Sequence, residues 1–209
     1  MSADIQVYTG GSCACNGYLV KCRSGYVAID APMGFAAWVA RHLPTDAQLT
    51  DLLITHQHFD HVQGVAELVA ATGCRVHACM PYSRELTLEE LASRSWGGGL
   101  NVEPFRVDDA FGTTCSTGEW GGTTWHIYHI PGHSPDGVAY KSSATGEVFC
   151  GDILFAGAVG RTDFPGGSMS SLIRGIRDKL LPLPHTTIIH SGHGPDTSLE
   201  EEILNNPYL

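Results

Sequence analysis

A cluster of metal-type donors between two regular elements constrains this chain more than any other feature. Four such side chains fall within six residues, His56-Gln57-His58-Phe59-Asp60-His61. The apolar run 51–55 before them predicts a buried strand, and residues 62–71 after them predict a helix that ends at Gly73. A loop held between two rigid elements can turn several side chains toward one point. The alternative, a polar loop whose histidines merely face water, is disfavoured by this spacing.

Three more donors follow predicted strands later in the chain. Each is preceded directly by a glycine, which lets the backbone bend tightly and aim the next side chain: His133, Asp152 and His193. Imidazole nitrogens and carboxylate oxygens together suit zinc, and also iron or manganese. The other six histidines lack this setting and are expected to pack or face solvent, although His129 and His190 lie close enough in sequence to support the site.

Short strands alternate with helices in both halves of the chain. Predicted strands cover residues 5–8, 18–21, 26–29, 51–55, 75–78, 123–130, 138–141, 148–150 and 187–190, and predicted helices cover 35–43, 62–71, 83–95 and 168–181. This distribution indicates two sheets covered by helices, in the α/β class. No repeat or linker divides the 209 residues, so we expect a single domain, residues 1–209.

The composition excludes several classes of partner. The formal net charge is −10 and the 12 Lys and Arg residues are scattered, whereas binding a nucleic-acid backbone takes clustered cations. No apolar stretch approaches the roughly 20 residues of a membrane span, and no signal peptide is recognisable, so the expected location is the cytoplasm. Seven cysteines without repeated spacing predict free thiols, and the Cys13-Ala14-Cys15 segment could attract a soft metal.

The order and context of the seven donors resemble the metal-binding pattern of the metallo-β-lactamase superfamily. Within it, the chain is most similar to single-domain glyoxalase II-like hydrolases, and the similarity extends to Pro131-Gly132-His133-Ser134, Gly151-Asp152-Ile153-Leu154-Phe155, Gly160-Arg161-Thr162-Asp163-Phe164, Ser191-Gly192-His193-Gly194-Pro195 and Asn206-Pro207-Tyr208-Leu209. The resemblance implies an αββα four-layer sandwich. It also implies two divalent cations, zinc with iron or manganese as alternatives. One would be held by His56, His58 and His133, the other by Asp60, His61 and His193, with Asp152 bridging both.

The resemblance further implies hydrolysis of a small-molecule thioester or ester. A metal pair lowers the pKa of water from about 15.7 toward 7, and the bridging hydroxide would attack the carbonyl. Asp60 and Asp152 are the expected catalytic residues, and Asp60 would orient the nucleophile. Arg161 and Tyr140 are the expected substrate-binding residues. Asp163 stands where the family has an aromatic residue, so a salt bridge with Asp163 is the alternative role for Arg161.

Other functions stay open at this point. The segment 160–164 also resembles persulfide dioxygenases, oxidoreductases that bind one iron with part of the same ligand set. Against them, the His193 segment resembles the hydrolase version and supplies a ligand for a second metal. A binding module without turnover is disfavoured because the ligand set is complete, and β-lactamase activity because such enzymes are usually exported.

Overall fold

The first half of the chain forms a mixed six-stranded sheet. The computed structural model describes residues 5–96 and 98–209. Its first six strands lie side by side in chain order: β1 (Ile5–Gly10), β2 (Cys15–Cys22), β3 (Gly25–Ile29), β4 (Leu49–Leu53), β5 (Arg75–Ala78) and β6 (Asp109–Ala110). The first three strands pair antiparallel, whereas β3 to β6 run parallel. The carboxyl ends of β3 and β4 therefore lie at the same edge of the sheet.

The second half forms another six-stranded sheet. Its strands are β7 (Thr117–Trp120), β8 (Thr123–His129), β9 (Val138–Ser142), β10 (Val148–Gly151), β13 (Ile188–Ser191) and β14 (Thr197–Ser198), and they lie side by side in the order β14-β13-β10-β9-β8-β7. Only β10 and β13 pair parallel among these strands, so their carboxyl ends also lie together. A separate hairpin joins β11 (Leu154–Phe155) to β12 (Ala158–Val159).

Helices occupy the outer faces and the connections. They are α1 (Phe35–His42), α2 (Phe59–Val62), α3 (Val65–Thr72), α4 (Arg84–Thr87), α5 (Glu89–Trp96), α6 (Met169–Lys179) and α7 (Leu199–Asn205). Ser168 caps α6, because its hydroxyl accepts a hydrogen bond from the Ser171 amide. Among the described residues, no helix has both the length and the apolar character to span a membrane.

Three apolar cores separate four layers. Phe35 and Leu68, from α1 and α3, pack on the outer face of the first sheet. Trp125 and Phe149 belong to the core between the two sheets. Leu172, from α6, packs on the outer face of the second sheet. The αββα four-layer order expected from the resemblance is thereby confirmed.

Some predicted elements differ from those observed. The predicted helix 62–71 is interrupted at Gly64, whose amide donates to the Ala31 carbonyl at 2.7 Å. A side chain at position 64 would also meet the Pro32 carbonyl oxygen at 2.5 Å. The predicted helix 83–95 breaks at Leu88, whose φ is +55°. The strands β6, β7, β11, β12 and β14 and the helix α7 were not predicted, because they are short or lack a clear apolar period.

Candidate metal centre

The predicted donor cluster lies where β4 passes into α2. After Leu53 the chain turns through Thr55 into four buried donors, His56, His58, Asp60 and His61. The three later donors lie in the loops that follow β8, β10 and β13: His133, Asp152 and His193. Since β4, β10 and β13 all end at this side of the molecule, both sheets contribute to one site.

The glycines before the later donors are needed for two different reasons. Gly132 and Gly151 have φ values of +141° and +51°, which side-chain-bearing residues rarely adopt. Gly192 is required for space, since a Cβ there would collide with Asp152 Oδ1 and the His61 ring. The preceding glycine thus permits the turn in two cases and the close approach of the donors in the third.

One group of donors consists of His56, His58 and His133, whose nearest ring nitrogens all lie within 4.8 Å of one another. His133 Nδ1 donates to the Arg161 carbonyl at 2.7 Å, because a carbonyl can only accept. That bond leaves a lone pair on His133 Nε2, which lies 2.9 Å from His58 Nδ1. His56 Nδ1 lies 3.2 Å from the Thr55 hydroxyl, and His56 Nε2 is buried without a hydrogen-bond partner. Such bonds to one nitrogen fix the tautomer that presents the other to a cation.

The second group is arranged around the carboxylates. His61 Nε2 lies 3.2 Å from Asp152 Oδ1, and His193 Nε2 lies 3.3 Å from Asp60 Oδ2 and 3.5 Å from Asp152 Oδ2. His133 Nε2, from the first group, is also 3.5 Å from Asp152 Oδ2. The Asp152 carboxylate therefore lies between the two groups, where a shared ligand would stand.

Three buried polar atoms at this point form no hydrogen bond of good geometry: His56 Nε2, His61 Nε2 and Asp152 Oδ1. The last two lie 3.2 Å apart, but are not aligned as donor and acceptor. A buried polar atom left unpaired costs about 1–3 kcal/mol. Three such atoms in one place call for a ligand that satisfies all of them. Because nitrogen and carboxylate donors converge from several directions, divalent cations fit this donor set. The cluster is therefore a candidate metal-binding site.

The protonation states suit metal binding in the first group. Burial, reinforced by the neighbouring histidines, holds the pKa of His56 well below its usual value and lowers that of His58 to about 3. Burial alone would raise the pKa of Asp152, but His61, His133 and His193 together outweigh burial, and the net pKa is lowered. Burial alone would lower the pKa of His193, but the hydrogen bond with Asp60 and the charge of Asp152 together outweigh burial and raise it. At low pH a proton therefore competes with a cation for His193. Cation binding by His193 becomes more favourable as the pH rises and the proton is lost.

Two residues that sequence reasoning missed position the donors. Asp30, at the end of β3, accepts hydrogen bonds from the Thr55 amide at 2.8 Å and from His61 Nδ1 at 2.7 Å. Asn16, on β2, donates to the Ser191 and Gly194 carbonyls at 3.0 Å each and holds the turn that carries His193. An isolated acidic residue directly after an apolar strand was the available signal for Asp30.

The family of the chain follows from a match to a family model. The model described as the metallo-β-lactamase superfamily matches residues 10–193, which include all seven donors. The chain belongs to the metallo-β-lactamase superfamily. The position of the site at the ends of the strands, between two helix-covered sheets, is in keeping with this membership.

Relatives within the superfamily are similar over most of the chain. Hydroxyacylglutathione hydrolase GloC of Haemophilus influenzae is 36% identical over 165 residues, which are 78% of this chain and 77% of the relative. The crystal structure of TTHA1623 in a di-iron-bound form is 36% identical, with a TM-score of 0.83 and coverage of 98% and 100%. The crystal structure of BLEG-1 B3 metallo-β-lactamase is 29% identical, with a TM-score of 0.86 and coverage of 98% and 99%.

One cysteine, Cys15, has its thiol close to the donor cluster. All seven cysteines are free, as predicted. The Cys15 sulfur is buried and lies within 4.8 Å of ligand atoms of His61 and His193. Cys13 accepts a hydrogen bond from His193 Nδ1 through its carbonyl at 3.1 Å, so the backbone of this segment orients a predicted ligand.

Arg161 and Tyr140, the two predicted substrate-binding residues, lie in different surroundings. Arg161 lines the cleft above the donors, but its guanidinium forms two hydrogen bonds of 2.6 Å with the Asp163 carboxylate. The prediction for Tyr140 is wrong. Its side chain is fully buried between the sheets, and its hydroxyl donates to the Ile54 carbonyl at 2.8 Å. Both faces of β9 are covered by other layers of the fold. The side chains of β9 alternate between these two covered faces, and Tyr140 therefore does not face the cleft.

Replacing Tyr140 by phenylalanine is expected to lower the free energy of unfolding by about 1–3 kcal/mol, because the buried Ile54 carbonyl loses its donor. The Michaelis constant should stay within about twofold, since the side chain does not reach the cleft. Urea unfolding and steady-state kinetics measure the two quantities. An unchanged unfolding free energy with a strongly raised Michaelis constant would show that Tyr140 does contact substrate.

His193 and His190 provide a test of which histidine belongs to the site. His190 bonds Asp196 at 2.9 Å and stacks on Phe149 with the ring centroids 4.6 Å apart. We expect His193→Ala to lower the metal content from about two ions per chain to about one. His190→Ala should keep the metal and lose about 1–3 kcal/mol of stability. Metal analysis after gel filtration measures both, and an equal metal loss in the two variants would mean that the wrong histidine was assigned.

Proposed function

We propose that this member of the superfamily is a metal-dependent hydrolase that cleaves small-molecule thioesters. The observation that carries the proposal is the convergence of two donor groups on the shared carboxylate Asp152, at the floor of an open cleft. The 36% identity to a hydroxyacylglutathione hydrolase supports a thioester among the possible substrates. The 36% identity to a protein with a di-iron form supports two cations.

The residues divide between two sites as follows. His56, His58 and His133 would hold one cation, Asp60, His61 and His193 the other, and Asp152 would contact both. When bound, the cations supply Lewis acidity that ionises water near neutral pH and polarises the carbonyl under attack. Zinc, iron and manganese all accept this mixture of nitrogen and oxygen donors.

Asp60 and Asp152 are the proposed catalytic residues. Burial alone would raise the pKa of Asp60, but the hydrogen bond with His193 and the charges of His61 and His193 together outweigh burial, so the pKa is lowered and the carboxylate stays ionised. Asp60 also lines the cleft, so it can accept a hydrogen bond from the attacking nucleophile and orient it. A thiolate leaves with little need for protonation, since thiols have a pKa of about 8.5. The site therefore needs no separate general acid for a thioester.

A substrate panel tests the proposal. The protein would be stripped of metal, reloaded with zinc, iron or manganese, and assayed with a thioester, an oxygen ester, a β-lactam and glutathione persulfide. We expect the thioester to be the best substrate, with kcat/KM of about 10⁴ M⁻¹ s⁻¹ or more and with no activity in the stripped protein. The β-lactam is included because of the similarity to BLEG-1.

Persulfide oxidation remains the alternative to hydrolysis. Oxygen uptake with glutathione persulfide, from protein containing one iron per chain, would replace the hydrolase proposal with an oxidoreductase. Hydrolysis of the β-lactam in preference to every thioester would replace the thioester by an amide-type substrate. Either outcome contradicts the proposed function.

A further inference from the structure

The cleft above the donors has mostly apolar walls. It encloses about 640 Å³, and its apolar lining residues are Phe59, Leu88, Leu91, Ala92, Phe155, Val159 and Phe164. Phe164 packs edge-on against His58 at 5.7 Å between ring centroids, and Phe155 lies 6.2 Å from the His193 ring. Aromatic surface therefore borders the donor set at both ends. A bound substrate would meet it on either side of its reacting carbonyl.

Apart from the donor set and the cations proposed there, the cleft offers little positive charge to an anionic ligand. Among the described residues that line it, Arg161 is the one Lys or Arg. Its guanidinium is held by both Asp163 oxygens at 2.6 Å and lies 4.2 Å from the centre of the Phe164 ring. A paired, bidentate guanidinium has its best hydrogen-bonding edge already occupied. An incoming carboxylate would meet the Asp163 carboxylate beside it, and like charges repel.

Both walls are anchored, so the apolar lining is built into the fold. The segment leading into α4 is tied to the donor loop, because Gln57 accepts from the Ser83 amide at 3.0 Å. Buried Glu89, which begins α5, accepts from the Val102 amide at 2.6 Å. At the β11–β12 hairpin, which also lines the cleft, buried Glu202 accepts a hydrogen bond from the Gly157 amide at the tip at 3.0 Å. Rigid apolar walls favour ligands of matching polarity.

We propose that the cleft selects thioesters whose acyl and thiol groups are uncharged and largely apolar, and discriminates against anionic thiols such as glutathione. The inference rests on the proposed thioesterase function and adds its substrate class. Glutathione carries carboxylates at both ends, and one placed against these walls would lose water without gaining a partner. Each methylene of an aliphatic acyl chain that reaches the walls instead improves binding, by up to about fourfold.

The test compares thioesters that differ in the charge and size of the thiol or in the length of the acyl chain, and the substitution described below isolates the effect of charge. S-lactoylglutathione and the lactoyl thioester of N-acetylcysteamine share an acyl group, and the butanoyl and hexanoyl thioesters of N-acetylcysteamine extend it. We expect the wild-type protein to give a higher kcat/KM for the neutral lactoyl thioester than for S-lactoylglutathione. The hexanoyl thioester should exceed the butanoyl one by roughly tenfold, from two added methylenes.

A single substitution then tests the role of the ion pair. Asp163→Asn frees Arg161, so the kcat/KM for S-lactoylglutathione relative to its neutral counterpart should rise roughly two- to fivefold, the range of an exposed ion pair. Asp46→Asn makes the same charge change at an exposed position that does not line the cleft, and should leave the ratio unchanged. A wild-type preference for the glutathione thioester, or an Asp163→Asn ratio equal to that of wild type, overturns the inference. If the metal-loaded protein cleaves no thioester at all, the proposed function itself is overturned.

Discussion

Replacing Asp152 by alanine is expected to remove most of the bound metal and to lower kcat/KM by a factor on the order of a thousand or more. Its carboxylate lies within 3.5 Å of His61, His133 and His193, so both donor groups lose their common member. Lewis-acid stabilisation of a transition state amounts to several kcal/mol, and each 1.4 kcal/mol is tenfold in rate. Metal analysis after gel filtration and kinetics with the best thioester measure the two effects.

A matched substitution separates this effect from a general loss of stability. Asp178→Ala removes an exposed carboxylate on α6 and should change neither metal content nor kcat/KM. The thermal midpoint of Asp152→Ala should be compared with that of metal-free wild type, since the metal itself stabilises the fold. An Asp152→Ala protein that keeps full metal and normal turnover would refute the assignment of the shared carboxylate.

Asp30→Asn is expected to weaken metal binding at the second donor group by roughly 10- to 100-fold, although Asp30 is not itself proposed as a ligand. One carboxylate accepts hydrogen bonds from the Thr55 amide, the Thr55 hydroxyl and His61 Nδ1. An asparagine in the same volume has only one oxygen, and its amide group would face a donor. His61 then loses the bond that fixes its tautomer and ring orientation. Competition with a chromophoric chelator measures the affinity.

The matched control for Asp30 is another aspartate that bonds a histidine. Asp196 lies 2.9 Å from His190 Nδ1, outside the donor groups. Asp196→Asn should therefore leave metal affinity unchanged, while Asp30→Asn lowers it. Equal affinities in the two variants would indicate that Asp30 stabilises the fold without orienting His61.

The proposed metal ligands could be predicted from the sequence, because the signals for them lie in neighbouring residues. Four donors occupy one loop, and each later donor carries its own glycine signal in the residue before it. In the structure, glycine is required at positions 132 and 151 because φ is positive there, and at position 192 because there is no room for a side chain. The two sheets were likewise foreseeable from the distribution of apolar runs, although their strand order was not.

Other features depend on contacts between distant parts of the chain. Asp30 acts on His61 across 31 positions, and nothing near Asp30 in the sequence indicates that partner. Tyr140 was misassigned because a strand covered on both faces shows no alternation between cleft and core. The ion pair of Arg161 with Asp163 was one of two interpretations of neighbouring residues, and only the side-chain geometry shows that it forms.

The measurement that most directly tests this account is the metal content of protein purified without chelator or added metal. Elemental analysis of the pure protein should give close to two ions per chain, of zinc, iron, manganese or a mixture, falling to about one in His193→Ala. This result would support the two-cation site on which the proposed hydrolysis depends. A single ion per chain, unchanged by His193→Ala, would contradict that site and with it the proposed mechanism.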